Sequence, residues 1–159
     1  MPGPADLTTL LERLAASGVE FVLVGGLAAV AQGAPITTFD VDIVHRRTEE
    51  NVDRLILFLD TIGAHYRGRQ GPALPPDRVA LLGPGHSLLV TDLGPLDLLG
   101  AIEEGKAYED LVPESLRIEV GGFSLAVLSL EALVRLKRNS TEAKDKLRLP
   151  ILEAILKRL

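Results

Sequence analysis

Apolar residues at Leu7, Leu10, Leu11 and Leu14 recur at helical spacing, which predicts an opening amphipathic helix with Asp6 as N-cap and Gly18 as its stop. Phe21-Val22-Leu23-Val24 is instead a continuous β-branched and apolar run that ends at Gly25-Gly26, the pattern of a buried strand. Ala-rich residues 27–32 predict a short helix, stopped by Gly33 and Pro35. From 39 to 44, Phe39, Val41 and Ile43 alternate with Asp40 and Asp42 and predict a second strand. Thr48 then caps a strong helix, with Glu49 and Glu50 at its positive end and Val52, Leu55, Ile56 and Leu59 facing inward.

Residues 68–86 are dense in Gly and Pro and predict turns around one short strand, Arg78–Leu82. Strands are expected at 87–90 and 96–99, joined across Asp92-Leu93-Gly94-Pro95, and a hairpin at 116–120 and 123–128 around Gly121-Gly122. Ser129 caps a helix running to about residue 138, and a last helix carries Leu152, Ile155, Leu156 and Leu159. This order predicts an α/β (α+β) fold: a mixed sheet with flanking helices and a short C-terminal helical segment, not a regular βαβ array. One domain is expected over 1–159, with its core at about 18–128 and the C-terminal helices at about 129–159.

Composition narrows the class. With 159 residues, 47% of them apolar, and a mean hydropathy of +0.24, the chain can bury a core. Its longest nearly uncharged stretch, 21–39, is broken by Gly25-Gly26, Gln32, Gly33 and Pro35, so no membrane span is expected. Met1-Pro2-Gly3-Pro4 has neither a basic nor an apolar signal region, and a soluble, cytoplasmic protein is the expectation. The absence of cysteine excludes disulfides and Cys-ligated zinc. A net charge of −5 argues against broad duplex-DNA binding. Local basic clusters at Arg46-Arg47, Lys137-Arg138 and Lys144 with Lys146 still allow contact with a nucleotide or an RNA end.

The chemistry concentrates between Val24 and Asp42. A glycine pair between strand and helix lets a backbone approach phosphate closely and presents unpaired helix N–H groups; by itself it is also the mark of an ordinary tight turn. Asp40 and Asp42 follow, the first 14 residues after Gly26. As i and i+2 of a strand they project to one side, about 7 Å apart at Cα. Two such carboxylates repel unless a cation neutralises them, and oxygen ligands favour Mg²⁺.

Gly-Gly, a short helix and then Thr38-Phe39-Asp40-Val41-Asp42 resembles the DNA-polymerase-β-type nucleotidyltransferase superfamily. More narrowly, it is similar to the minimal nucleotidyltransferases and the AbiEii-like toxin nucleotidyltransferases. The resemblance implies an NTP (ATP, CTP or another) whose triphosphate lies over Gly25 and Gly26. It also implies two Mg²⁺ ions, with Mn²⁺ as an alternative, on Asp40, Asp42 and a third acid. Asp97 is the favoured third acid, because a lone carboxylate between Leu96 and Leu98 needs a partner; Asp92 in the preceding turn is its rival. Asp97 would act as general base on the acceptor hydroxyl.

Lys137 shares the apolar stripe of Leu130, Leu133 and Val134, which suits either a snorkelling lysine or a triphosphate ligand. Toxin-type relatives carry a lysine in a comparable helix and then a basic–Asp pair, which Lys144-Asp145 matches loosely. His45-Arg46-Arg47 closes the acid strand and reads as a solvated strand end in preference to a contact with phosphate or acceptor, and His65 and His86 lack ligand spacing. Ile36 stands where many relatives have arginine. The expected function is NMP transfer to a hydroxyl of a tRNA or other RNA end or of a partner protein; the toxin–antitoxin setting, with a cognate antitoxin or a second copy as partner, is what the resemblance implies. The alternatives are a non-catalytic nucleotide-binding or antitoxin-like module, and transfer to a small molecule, for which a second subunit is expected to shape the pocket.

Overall fold

The computed structural model describes residues 5–140 and 142–158, so the residues 1–4 read above for a signal, and Leu159, lie outside it. Helix α1 (Leu7–Ala16) begins where the Asp6 carboxylate accepts the Thr9 N–H at 3.0 Å, and it buries Leu10, Leu11 and Leu14. Strand β1 (Phe21–Val24) is buried at all four positions, as its unbroken apolar run requires. Helix α2 (Gly25–Ala31) starts at the glycine pair itself, two residues before the expected Leu27.

Strand β2 (Val41–His45) runs antiparallel to β1 with Val24 opposite Asp42. It begins two residues later than the alternation predicts, and Phe39 is 76% exposed. Past that register β1 has already turned into α2, so Phe39 and Asp40 have no strand to pair with on that side. Helix α3 (Glu49–Thr61) follows its Thr48 cap. Buried Asn51 accepts the Glu20 N–H at 2.7 Å and donates to the Glu20 and Arg46 carbonyls, fastening α3 to the outer ends of β1 and β2.

Strand β3 (His65–Tyr66) is short. Residues Arg78–Leu82 form helix α4, not a strand: Asp77 caps it by accepting the Ala80 N–H, and only Leu81 is buried while Val79 is 76% exposed. Over five residues an apolar pattern fits either period, and the capping carboxylate decides. Strands β4 (His86–Thr91) and β5 (Gly94–Leu99) form a hairpin. The segment 101–114, for which the apolar pattern predicts no element, holds two 3₁₀ turns and helix α5 (Tyr108–Leu111). The hairpin of β6 (Ser115–Val120) and β7 (Phe123–Leu128) leads into α6 (Leu130–Lys137), capped by Ser129, and then α7 (Ala143–Leu156).

These strands make one seven-stranded mixed sheet in the order β3-β4-β5-β2-β1-β7-β6. The central contacts β2–β5 and β1–β7 are parallel and the others antiparallel. Gln32 locks the end of α2 to the β7–α6 junction by donating to Leu128 O and accepting the Leu130 N–H. That lock fixes α2, the helix that begins at the glycine turn, against the start of α6. No helix among the described residues is long and apolar enough to cross a membrane.

Candidate active site

The glycine pair is required by what lies above it. Gly25 has φ +72, and a Cβ there would stand 2.3 Å from Asp42 Oδ2. A Cβ on Gly26 would stand 2.9 Å from Arg148 Nη1 and 3.0 Å from Thr38 Oγ1. Gly25 thus admits the carboxylate of the facing strand, and Gly26 admits a guanidinium reaching in from α7.

Asp42 lies directly across the β2–β5 pairing from Asp97, and Asp40 precedes β2 by one residue. Each of the three offers a carboxylate oxygen within 4.8 Å of the other two. Asp92 is elsewhere, in the β4–β5 turn against Gly63, with its N–H on Ile62 O at 2.8 Å. Asp97 also has a protein partner that the sequence did not disclose: Arg67 Nη2 donates to its Oδ1 at 2.6 Å and to Leu89 O at 2.9 Å.

Asp42 Oδ1 is buried without a hydrogen-bond partner. Burial first, and then the negative charges of Asp40 and Asp97, push its pKa from 3.8 to about 7, opposed by Lys144. A buried, unpartnered carboxylate oxygen between two other carboxylates is a site short of positive charge. The all-oxygen donor set fits a hard divalent ion such as Mg²⁺ or Mn²⁺.

The acids open into a cleft with two lobes. The larger, about 480 Å³, is lined by Asp42, Asp97, His86, Leu88, Ile102 and Lys137 among others. The smaller, about 180 Å³, runs over Gly25, Gly26 and Thr38 to Lys144, Arg148 and Leu152. Lys137 borders both lobes, with Nζ 2.9 Å from Glu103 and 3.3 Å from Asp145. Burial works against its charge, but the hydrogen bond to Glu103 and the charges of Glu103 and Asp145 outweigh that and raise its pKa. Asp145 is buried and also accepts from Ser140 Oγ at 2.6 Å.

His45-Arg46-Arg47 is at the opposite end of β2 from the acids, and His45 is not solvated as expected. It is 1% exposed, with Nε2 2.7 Å from Leu81 O, and burial lowers its pKa. Helix α4, unforeseen at that position, covers it. Arg46 is committed to Glu20 at 2.8 Å and Glu109 at 3.4 Å and lies over the Tyr108 ring. His86 Nε2 lies 2.8 Å from Ala101 O, and His65 is separate, beside Gly63 O. Ile36 lines the small lobe, where Arg148 provides a cation from α7. The four-residue spacing of Lys144 and Arg148 was a legible sign of a shared helix face; nothing local pointed to Arg67.

No family model and no curated protein sequence matches the chain. Solved structures match its fold. A Thermotoga maritima protein assigned as a nucleotidyltransferase shares 20% identity over 96% of this chain and 91% of its own, at a TM-score of 0.53. The lincosamide antibiotic adenylyltransferase LnuA, with lincomycin bound, shares 18% over 94% of this chain and 95% of its own, at 0.59. ANT(2")-Ia, in complex with adenylyl-2"-tobramycin, shares 15% over 94% and 89%, at 0.57. The mixed sheet, the glycine turn and the flanking helices thus make up a nucleotidyltransferase fold.

Proposed function

We propose that this protein is a nucleotidyltransferase that moves an NMP group from an NTP to a hydroxyl acceptor. The observation that carries the reading is the convergence of Asp40, Asp42 and Asp97 on one point at the floor of a cleft beside the Gly25-Gly26 turn. Asp40, Asp42 and Asp97 would hold Mg²⁺, two ions in the full reading. Divalent ions so held neutralise the phosphates and polarise the attacking and leaving oxygens.

The chain's own contribution is placement. Gly25 and Gly26 keep side chains off the turn, so the phosphate chain can lie against backbone. Lys137, fixed between Glu103 and Asp145, places a positive charge where the two lobes meet. Arg67 donates to Asp97 Oδ1 and so orients the carboxylate that would take the acceptor's proton as pyrophosphate leaves. The resemblance to the toxin branch supports an RNA end or a partner protein as acceptor, within a single domain spanning 1–159 and with an antitoxin or a second copy as partner. A second reading, a small hydroxylated acceptor, is favoured by the 480 Å³ lobe, the size of a drug-like ligand site. Lincomycin and adenylyl-tobramycin in the two antibiotic-binding neighbours point the same way.

The test is to incubate the purified chain with each α-labelled NTP, Mg²⁺, and separately RNA, protein and small-molecule fractions. Transfer of label, lost in Asp42→Asn, is expected. Mg-dependent NTP binding without transfer to any fraction would favour a non-catalytic nucleotide-binding module, and no binding at all would overturn the reading.

A further inference from the structure

Among the described residues the cleft holds three cations, and they differ in one respect. Lys137 is neutralised by Glu103 and Asp145, whereas Lys144 and Arg148 have no carboxylate of the described residues within 4.0 Å. Both border the small lobe together with Gly25, Gly26, Asp40 and Asp42, so two cations without an ion-pair partner among the described residues share a recess with the acids. They are four residues apart on α7 and therefore share one helix face.

Arg148 is half-buried, and its one hydrogen bond among the described residues is from Nη2 to Thr37 O at 2.8 Å. A guanidinium carries five N–H donors in a planar fork, so most of them are left without a partner among the described residues. The fork sits against the Gly26 backbone, where any side chain would displace it. Lys144 borders the same lobe as Asp42. The small lobe is therefore bordered both by the carboxylates of Asp40 and Asp42 and by a guanidinium without an ion-pair partner among the described residues. A neutral ligand would leave that guanidinium without a counter-charge. A chain of anionic groups, bound to the carboxylates through a cation, would engage both.

We infer that Arg148, assisted by Lys144 one turn earlier, is the polyphosphate-binding arm of the site. The C-terminal helix thus belongs to the nucleotide pocket and is not merely packed beside it. The inference rests on the NMP-transfer reading for the identity of the anion. The arm also ties together pieces distant in sequence, since Arg148 joins α7 to the residue 37 carbonyl just ahead of the acid strand.

Magnesium tripolyphosphate is a base-independent probe for this arm. Its binding to the full chain is measured by calorimetry for wild type, Arg148→Gln, Arg148→Lys, Lys144→Gln and Asp42→Asn, with Tm recorded for each. Arg148→Gln should weaken binding about tenfold or more, as loss of a charge-assisted pair would. Arg148→Lys should recover part of that affinity, and Lys144→Gln should weaken it severalfold at unchanged Tm. Lys144 is exposed, so its variant carries the test even if Arg148→Gln fails to fold. If wild type binds, Asp42→Asn does not, and both α7 variants bind like wild type, the arm is wrong while the nucleotide reading stands. If wild type binds neither tripolyphosphate nor any NTP in Mg²⁺, both fall together.

Discussion

Replacing Asp42 by Asn should stabilise the metal-free protein while destroying its capacity to bind metal and nucleotide. An ordinary aspartate ionises near 3.8, whereas burial and the charges of Asp40 and Asp97 raise Asp42 to about 7. Below about pH 4 the carboxyl is protonated in folded and unfolded chains alike and contributes nothing to the pH dependence. Between those two values the folded chain keeps a proton that the unfolded chain has released, so stability falls as pH rises. Above about pH 7 the whole cost is present. At about 1.4 kcal/mol per pH step, it reaches at most about 4 kcal/mol. Asn keeps the shape of the neutral acid and cannot ionise. In urea unfolding without metal, Asp42→Asn should match wild type near pH 4 and exceed it at pH 8 by about 2–4 kcal/mol. The lowered pKa of His45 is common to both proteins and cancels in the difference. Saturating Mg²⁺ with NTP should then stabilise wild type and leave the variant unchanged. An Asn variant no more stable than wild type at pH 8 without metal would refute the claim that this carboxylate is held under electrostatic strain.

Three further outcomes are expected. Gly25→Ala forces a side chain into φ +72 and against Asp42 Oδ2, costing about 1–2 kcal/mol for the backbone alone; calorimetry should show Mg-dependent NTP binding lost, and retention of both stability and binding would show that the close approach is unimportant. Asp97→Ala should reduce transfer by about 10²-fold or more with a much smaller loss of NTP affinity, because Asp40 and Asp42 still hold metal and a base serves chemistry more than docking; equal losses in both would confine Asp97 to metal binding. Lys137→Met leaves buried Asp145 with Ser140 alone and should destabilise by about 3 kcal/mol; adding Asp145→Asn should recover much of that, and a strictly additive double variant would rule out the pairing.

What the chain determines by itself is whatever can be written in a period of 2 or 3.6. The unbroken run Phe21-Val22-Leu23-Val24, the alternation through Val41 and Ile43, and the caps at Asp6, Thr48 and Ser129 each encode a local element, and these elements form. The Gly25-Gly26 pair followed by Asp40 and Asp42 was legible for the same reason, being one short stretch of chain. Short segments were not: Arg78–Leu82 became a helix through the Asp77 cap, and β2 lost Phe39 because its neighbour turns away first.

Tertiary structure alone decided the rest, since pairing and desolvation depend on residues far apart in the chain. The β2–β5 register sets Asp97, and not Asp92, opposite Asp42. The same packing brings Arg67 to Asp97 across 30 positions and Arg148 to the Thr37 carbonyl across 111. It also buries His45, which reads from sequence as a solvated strand end, beneath a helix. A carboxylate's neighbours set its charge state, and no local pattern names neighbours that only the folded sheet and the returning C-terminal helix deliver.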